Sequence, residues 1–324
     1  MLAIFLRRAL APCVLAALML TGAIADAGAQ TRAFSDDLGR TVQVPVRPLR
    51  IVSLHDLDIT LPLIELGAPP VASHGRVAPD GSRFLRAGKL LTGVDFDSGG
   101  IAFVGANAID LEAVAAAKPD LIITLTTRDT PVAQLERIAP TVSLDHLKGG
   151  PEGLYGKLAE LTGTKPRLAQ LEARYRAQIA QLRAVVDTGK VTVATLQANQ
   201  GKITVFHTDR ALGRVLRDAG FRFPALLNSI PEGGRLDVSA ERLPDLDADL
   251  VFDTFRSDRG GGPAGEWAAM ETVFPGFCDM LQACRGGRFL LLPRDETISN
   301  TYAALSLLVP VVQAQALRLR PAWR

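Results

Sequence analysis

The chain has few cysteines, few aromatic residues and none of the short motifs of the common enzyme classes. Of its 324 residues, 3 are cysteine and 6% are aromatic. It contains no Gly-x-Ser-x-Gly nucleophile turn, no glycine-rich phosphate loop and no His-Glu-x-x-His zinc motif. These absences argue against the common hydrolases, nucleotide-binding enzymes and zinc proteases. We therefore predict no catalytic residues.

The net charge of the chain is also close to zero, which argues against nucleic acid as a ligand. The net charge is +2, and it falls to +1 if residues 1–29, with two arginines and one aspartate, are removed. Within this balance the basic residues are skewed, with 29 arginines against 7 lysines. Either a GC-rich genome or the recognition of planar anions such as carboxylates would explain that skew.

The first 29 residues have the pattern of a secretory signal peptide. Arg7 and Arg8 precede an apolar stretch at 9–22, which ends near the small residues Ala27 and Ala29. We expect cleavage after Ala29, with the Ala25 end as the second choice and a retained membrane anchor as the alternative. The expected product is an exported, periplasmic protein. Cys278 and Cys284 are then the cysteines of the mature chain, and in an oxidising compartment we expect them to form a disulfide rather than a zinc site.

Strands and helices alternate along the rest of the chain, with strands that are apolar throughout. This pattern is typical of parallel sheets covered on both faces, in an α/β fold. One segment differs, because apolar residues between 165 and 186 recur at steps of three and four, which predicts a long helix. We therefore predict two α/β lobes at 30–152 and 189–324, joined by a linking segment at 153–188, with small opening motions.

One short pattern occurs in both predicted lobes. "IDLEAVAAAKPDLIIT" at 109–124 and "DVSAERLPDLDADLVFD" at 237–253 each begin with a helix-capping residue, Asp110 or Ser239. In each, a glutamate follows two positions later, and an aspartate eight residues beyond it opens an apolar strand. The glutamates are Glu112 and Glu241, and both should lie on an exposed first helical turn.

The order and spacing of five segments resemble a known family. They are "DDLGRTVQVPVRPLRIVSL", "IDLEAVAAAKPDLIIT", "LERIAPTVSL", "DVSAERLPDLDADLVF" and the helix at 166–187. The family is that of the periplasmic substrate-binding proteins of ABC importers for ferric siderophores, haem and cobalamin. The resemblance implies two Rossmann-like lobes with parallel sheets facing a ligand cleft, bridged by one backbone helix. It also implies that Glu112 and Glu241 dock onto arginines of a permease dimer.

Several candidate ligand residues follow the strand ends, where open α/β sheets bind ligands, and Arg76, Arg83 and Arg86 lie in the irregular loop after the second strand. Arg128 and Arg256 match positions at which some siderophore-binding relatives carry cleft arginines, and aromatic residues form apolar walls in this family. The candidates are His55, Arg76, Arg83, Arg86, Arg128, His207, Arg210, Arg256, Trp267 and Tyr302. So many arginines favour an anionic ferric siderophore of the carboxylate or catecholate type, in which the siderophore itself holds the iron.

Three other functions remain open at this stage. Direct binding of a transition metal would use His55, Asp56 and Asp58, with His74, His146 or His207 added. A haem or cobalamin receptor would share the fold. A hydrolase built on His55 and Asp56 is the alternative from a different class. The favoured prediction is a monomeric receptor that has no cofactor of its own and delivers its ligand to an ABC permease.

Overall fold

The computed structural model describes residues 30–146, 148–257 and 260–319. The predicted signal peptide, residues 1–29, and its cleavage site lie outside this part of the chain. Within the described ranges, none of the helices combines the length and the apolar character needed to cross a membrane.

The N-terminal lobe contains a parallel sheet and two antiparallel pairs. Its strands are β1 (Thr31–Ser35), β2 (Thr41–Pro45), β3 (Ile51–Ser53), β4 (Ala72–Ser73), β5 (Arg76–Val77), β6 (Arg83–Phe84), β7 (Ala102–Phe103), β8 (Leu121–Leu125) and β9 (Thr141–Leu144). Five of them form the central sheet in the order β7-β4-β3-β8-β9. β1 pairs with β2 and β5 with β6 in antiparallel hairpins.

Short helices cover this sheet: α1 (Leu61–Glu65), α2 (Gly88–Thr92), α3 (Leu111–Ala116) and α4 (Val132–Leu135). The helical segment that leads into α1 begins with a π-helical turn, Asp56–Thr60. In that turn the N–H groups of Thr60 and Leu61 donate to carbonyls five residues back, at His55 and Asp56. Such turns are frequent at functional sites, and this one follows β3 at its carboxyl end.

The predicted long helix is confirmed as α6 (Lys165–Val185), which follows α5 (Gly150–Thr162). Its inward face was read correctly from the steps of three and four. The buried residues on that face are Leu168, Leu171, Tyr175, Ile179 and Leu182. The main hydrophobic core runs through this helix, since it includes Ile123 of β8, Leu182 of α6 and Phe252 of the C-terminal lobe.

The C-terminal lobe has a parallel sheet and an antiparallel one. Its strands are β10 (Val193–Thr195), β11 (Gln197–Asn199), β12 (Lys202–Phe206), β13 (Arg235–Val238), β14 (Leu250–Phe255) and β15 (Phe289–Pro293). The parallel sheet has the order β10-β14-β15, and the antiparallel sheet the order β11-β12-β13. The α/β fold class is confirmed, but we had not predicted the antiparallel sheet. It begins at a two-residue turn, Gln200 and Gly201, in which both φ angles are positive, as tight hairpins require.

Seven α-helices are described in this lobe and at its C-terminal side: α7 (Arg210–Asp218), α8 (Ala225–Asn228), α9 (Pro263–Val273), α10 (Phe277–Met280), α11 (Gln282–Arg285), α12 (Arg294–Ile298) and α13 (Tyr302–Leu317). Two 3₁₀ helices accompany them, Thr188–Lys190 and Ala240–Leu246. Cys278 and Cys284 form a disulfide between α10 and α11, with their Cα atoms 5.0 Å apart.

The repeated sequence pattern has a structural counterpart in both lobes. The Asp120 carboxylate, just before β8, accepts hydrogen bonds from the N–H groups of Leu49 and Arg50 at 2.6 and 2.9 Å. Asp249, just before β14, accepts from the N–H of Thr192 at 2.8 Å. In each lobe the aspartate thus binds the backbone just before the neighbouring parallel strand, β3 or β10, and fixes where the two strands align.

The helix α13 is tied to the N-terminal lobe through Glu65, at the end of α1. The Glu65 carboxylate accepts hydrogen bonds from the N–H groups of Tyr302 and Ala303 at 3.0 and 2.6 Å. It also accepts one from the hydroxyl of Tyr155 on α5. A carboxylate at a helix N-terminus satisfies N–H groups that have no partner within the helix. Glu65 therefore joins α1, α5 and α13.

We expect Glu65→Ala to lower the free energy of unfolding by about 2–4 kcal/mol, because it leaves two backbone donors and a phenol without their acceptor. Urea denaturation measures the change. Glu160→Ala is the control, because Glu160 is exposed and pairs with Arg32 at 3.2 Å; its effect should stay within about 0.5 kcal/mol. Equal effects of the two substitutions would show that Glu65 does not hold the helices together.

Candidate functional site

Polar side chains gather at the carboxyl edge of the N-terminal sheet. His55 and Asp56 follow β3, His74 follows β4, and Arg128 lies beyond the end of β8. Because β4, β3 and β8 are adjacent and parallel, their carboxyl ends meet at one edge. This is the edge at which we expected the ligand, and these side chains lie together there.

Asp56 is the buried anchor of this edge. Its side chain has no exposed surface and accepts two hydrogen bonds from Arg76, from Nε at 2.8 Å and Nη2 at 3.1 Å. The N–H of Arg86 donates to the same carboxylate at 3.3 Å. Burial raises the pKa of Asp56, but the hydrogen bonds and charge of Arg76 outweigh burial and leave the pKa below its usual value. Asp56 therefore stays ionised and holds the segment that carries both arginines.

Arg128 is the arginine best placed to bind an anion. It is half-buried, and its Nη2 lies 3.0 Å from Nε2 of the buried His74. The same Nε2 also contacts the carbonyl oxygen of Ala106. Burial, and then the positive charge of Arg128, lower the pKa of His74 to about 4, so the imidazole is neutral at pH 7. Within the described residues, Arg128 has no carboxylate at ion-pair distance. Its positive charge is therefore available to a ligand.

His55 is turned towards its own backbone segment. Its Nδ1 accepts a hydrogen bond from the N–H of Asp58 at 3.0 Å, and burial lowers the pKa of the ring. The Asp58 carboxylate is also buried, and its Oδ1 lies 3.8 Å from Nη1 of Arg210 in the C-terminal lobe. This ion pair crosses from one lobe to the other.

A second ion pair joins the lobes with the charges reversed. Nε of Arg86, in the N-terminal lobe, lies 3.4 Å from Oδ1 of Asp295 at the start of α12. The hydroxyl of Ser257 donates to the other oxygen of Asp295 at 2.9 Å. A cavity of about 480 Å³ opens beside this pair, lined by Phe84 and Leu90 from one lobe and by Pro293 and Glu296 from the other. The cleft is therefore bridged by residues of both lobes.

The remaining candidates from the C-terminal lobe lie on several elements. His207 follows β12, in the antiparallel sheet, with Nδ1 3.0 Å from the hydroxyl of Thr208. Arg256 follows β14 and is half-buried. Trp267, on α9, packs against Phe277 and Phe289 at centroid distances of 4.8 and 5.9 Å but keeps 37% of its surface exposed.

Two candidates lie away from the strand ends. Tyr302 is buried in the helix layer, with its ring 5.0 Å from Tyr155 and 6.3 Å from Tyr175, so it does not form a wall of the cleft. It starts α13, whose N-terminus is held by Glu65, and this contact between distant segments could not be read from the sequence. Arg83 is exposed, and its guanidinium lies 4.6 Å above the ring of Phe103.

The metal-binding alternative depends on His55, Asp56 and Asp58. The Asp56 carboxylate is occupied by Arg76, and Nδ1 of His55 accepts from a backbone N–H. In the described part of the chain, no group of three or more histidine, cysteine, aspartate or glutamate side chains is arranged to hold a metal ion. It stays a prediction that the protein binds metal only as part of a chelate, with the siderophore holding the iron.

Glu112 and Glu241 are both exposed on the first turn of a short helix. Asp110 caps α3 as predicted, since its carboxylate accepts from the N–H of Ala113 at 3.0 Å. Ser239 acts differently, because its hydroxyl donates to the Glu241 carboxylate at 3.2 Å. The second helix is 3₁₀ and contains Pro244, whereas α3 is an α-helix.

Two α/β lobes, joined by a long helix and facing a cleft of charged side chains, define a two-lobed substrate-binding protein. The chain matches the periplasmic binding protein family over residues 100–264. It is 30% identical, over 250 residues, to the ferric enterobactin-binding periplasmic protein FepB of Escherichia coli O6:H1, a match that covers 71% of this chain and 76% of FepB. The chain therefore belongs to the periplasmic binding protein family, and the resemblance noted in the sequence is confirmed.

Other relatives give shorter matches or show the fold. The chain is 30% identical to the iron(3+)-hydroxamate-binding protein FhuD of Bacillus subtilis over 149 residues, 44% of this chain, and spans about half the length of that relative, 47%. The crystal structure of Staphylococcus aureus SirA complexed with staphyloferrin B matches with a TM-score of 0.70 at 20% identity, covering 88% of this chain and 98% of SirA. This likeness confirms the two-lobed fold.

We expect Asp56→Asn to lower the free energy of unfolding by about 1–3 kcal/mol at pH 7, because Arg76 and the N–H of Arg86 lose a charged acceptor. Folding lowers the pKa of Asp56, so its stabilisation is present above the unfolded value of 3.8 and is lost as the pH falls through the folded pKa. Urea denaturation at pH 7 and about pH 3 should therefore show a difference between wild type and variant that shrinks in acid.

Asp97→Asn is the matched control for this measurement, because Asp97 is exposed and pairs with Lys89 at 3.3 Å. A loss of stability for Asp56→Asn that is the same at both pH values would contradict an ionised, arginine-bound Asp56.

Proposed function

We propose that the protein is a periplasmic receptor that binds an anionic ferric siderophore, of the carboxylate or catecholate type, between its two lobes. The observation that carries this proposal is the guanidinium of Arg128. It is half-buried at the strand ends, beside a neutral histidine, and lacks a carboxylate partner among the described residues. A guanidinium in that position would bind an anionic oxygen of a ligand favourably, since charge-assisted hydrogen bonds are stronger than those between neutral groups.

The named relatives support an iron chelate as the cargo. FepB is named for ferric enterobactin, FhuD for iron(3+)-hydroxamate, and SirA was solved with staphyloferrin B. These ligands differ in donor chemistry, so the relatives do not select one. Arg128, whose charge has no carboxylate partner among the described residues, favours the anionic types, and the siderophore would hold the iron.

We infer further that the protein binds its ligand without transforming it, has no cofactor of its own and acts as a monomer. Residues 1–29 would direct export and be cleaved after Ala29. The loaded receptor would deliver its ligand to an ABC permease dimer through Glu112 and Glu241. Two equivalent carboxylates, one on each lobe, suit a partner with two equivalent subunits.

Titration of tryptophan fluorescence against a ligand panel tests the function. The panel contains ferric citrate, ferric enterobactin, ferrichrome, haem, cobalamin, Zn²⁺ and Mn²⁺. We expect saturation at about micromolar concentration or below with an anionic ferric chelate. Arg128→Gln should weaken that binding about ten- to hundredfold, because it removes a charged donor from a partly buried site.

Arg174→Gln is the control for Arg128→Gln, because Arg174 is exposed on α6, away from the strand ends. A response to Zn²⁺ or Mn²⁺ alone would overturn the proposed function. Equal affinities of the two variants for the chelate would overturn the role of Arg128.

Transport assays test the docking residues. In cells that depend on this receptor, Glu112→Ala combined with Glu241→Ala should abolish uptake of the chelate and leave its affinity for the purified protein unchanged. Glu136→Ala with Glu160→Ala is the matched control, because it also removes two exposed glutamates. Uptake that survives in the first double variant would rule out docking through this pair.

A further inference from the structure

Each lobe places a carboxylate against an arginine of the other lobe. Asp58 of the N-terminal lobe lies 3.8 Å from Arg210 of the C-terminal lobe, and Asp295 of the C-terminal lobe lies 3.4 Å from Arg86 of the N-terminal lobe. Asp58 and Asp295 come after the parallel strands β3 and β15, Arg86 comes after β6, and Arg210 begins α7 after β12. Two of the arginines predicted to bind the ligand are therefore already in contact with an internal anion.

The Asp58 carboxylate has no positively charged partner among the described residues of its own lobe. Its side chain is 5% exposed, and its contact there is Nδ1 of His55 at 3.4 Å. Burial lowers the pKa of His55, and the same Nδ1 accepts the Asp58 N–H, so the ring gives this carboxylate no positive charge at pH 7. Among the described residues, Arg210 is the cation that compensates Asp58. A buried carboxylate needs such a partner, because an uncompensated buried charge is costly.

Arg210 is held in an uncommon conformation at this position. Its φ angle is +50°, in the left-handed region that residues with a side chain adopt rarely. Such a conformation persists only when the surroundings enforce it, and it is enriched at ligand sites. Its side chain is 40% exposed, so an incoming ligand has access to the guanidinium.

The Arg86–Asp295 pair is held from both sides. The N–H of Arg86 is fixed by Asp56, and the second oxygen of Asp295 accepts from the hydroxyl of Ser257. The side chains of Arg86 and Asp295 are 9% and 16% exposed, so water screens this pair weakly. An anionic ligand that uses Arg86 must first compete with Asp295.

We infer that Asp58 and Asp295 are specificity-determining residues that act as internal anions, competing with the ligand for Arg210 and Arg86. This inference rests on the proposed function, since it concerns the charge of the chelate that the cleft accepts. A strongly anionic chelate has to displace both carboxylates, whereas a chelate with a neutral core does not gain from displacing them. The arginines alone would make the cleft strongly prefer anionic chelates over neutral ones. The two aspartates therefore reduce that preference.

The test compares Asp58→Asn, Asp295→Asn and the double variant with the wild type by calorimetric titration. The probes are ferric enterobactin, whose tris-catecholate core is negatively charged, and ferrichrome, whose tris-hydroxamate core is neutral. We expect each single substitution to tighten ferric enterobactin binding about two- to fivefold and to leave ferrichrome binding nearly unchanged. Asn keeps the size of Asp, and unfolding midpoints confirm that each variant is folded.

Two further variants sharpen the comparison. Asp187→Asn removes the same charge from an exposed pair with Lys190 at the end of α6, and should leave both affinities unchanged. In an Arg210→Gln background, Asp58→Asn should no longer tighten ferric enterobactin binding, because the arginine that it competes for is absent.

The outcomes separate the inference from the proposed function. Tighter binding of ferric enterobactin alone supports the competition. If both chelates bind and their affinity ratio is unchanged, or if both are weakened equally, the aspartates are not competitors and the inference is overturned. If neither of these chelates nor ferric citrate binds to the folded wild type or to any folded variant, the proposed siderophore function itself is overturned.

Discussion

The cleft of this protein depends on the ion pair between the buried Asp56 and the partly exposed Arg76. Asp56 follows the central strand β3, and its carboxylate also binds the N–H of Arg86. One buried charge therefore fixes both ends of the segment that carries the β5–β6 hairpin, and Arg86 in turn reaches Asp295 in the other lobe. Without that anchor, Arg76 and Arg86 would no longer be held in fixed positions relative to the sheet.

The lobes are held together behind this cleft by apolar packing. The main core extends from the N-terminal sheet through α6 and α13 to the C-terminal sheet, and Glu65 binds the first N–H groups of α13. All three tyrosines of the chain lie in this layer, where Tyr302 touches both Tyr155 and Tyr175. Continuous packing of this kind favours the small opening motions that the long helix predicted, which remain a prediction.

Periodicity and repetition in the sequence were enough to predict the two-lobed α/β fold, the bounds of α6 and the first-turn positions of Glu112 and Glu241. They were also enough to place His55 and Arg128 at one sheet edge, because parallel strand ends must meet. The pairs Arg86–Asp295 and Asp58–Arg210 could not be predicted, since they join residues more than a hundred positions apart through tertiary packing. We did not predict the antiparallel sheet, although the two-residue turn at Gln200 and Gly201 is typical of a β-hairpin.

A crystal structure of the protein with a bound ferric chelate tests the central claim most directly. Our account predicts that the chelate lies between the lobes, with anionic oxygens within hydrogen-bond distance of Arg128, while Arg76 remains bound to Asp56. A chelate seated elsewhere on the molecule, or one held without contact to Arg128, would contradict the account.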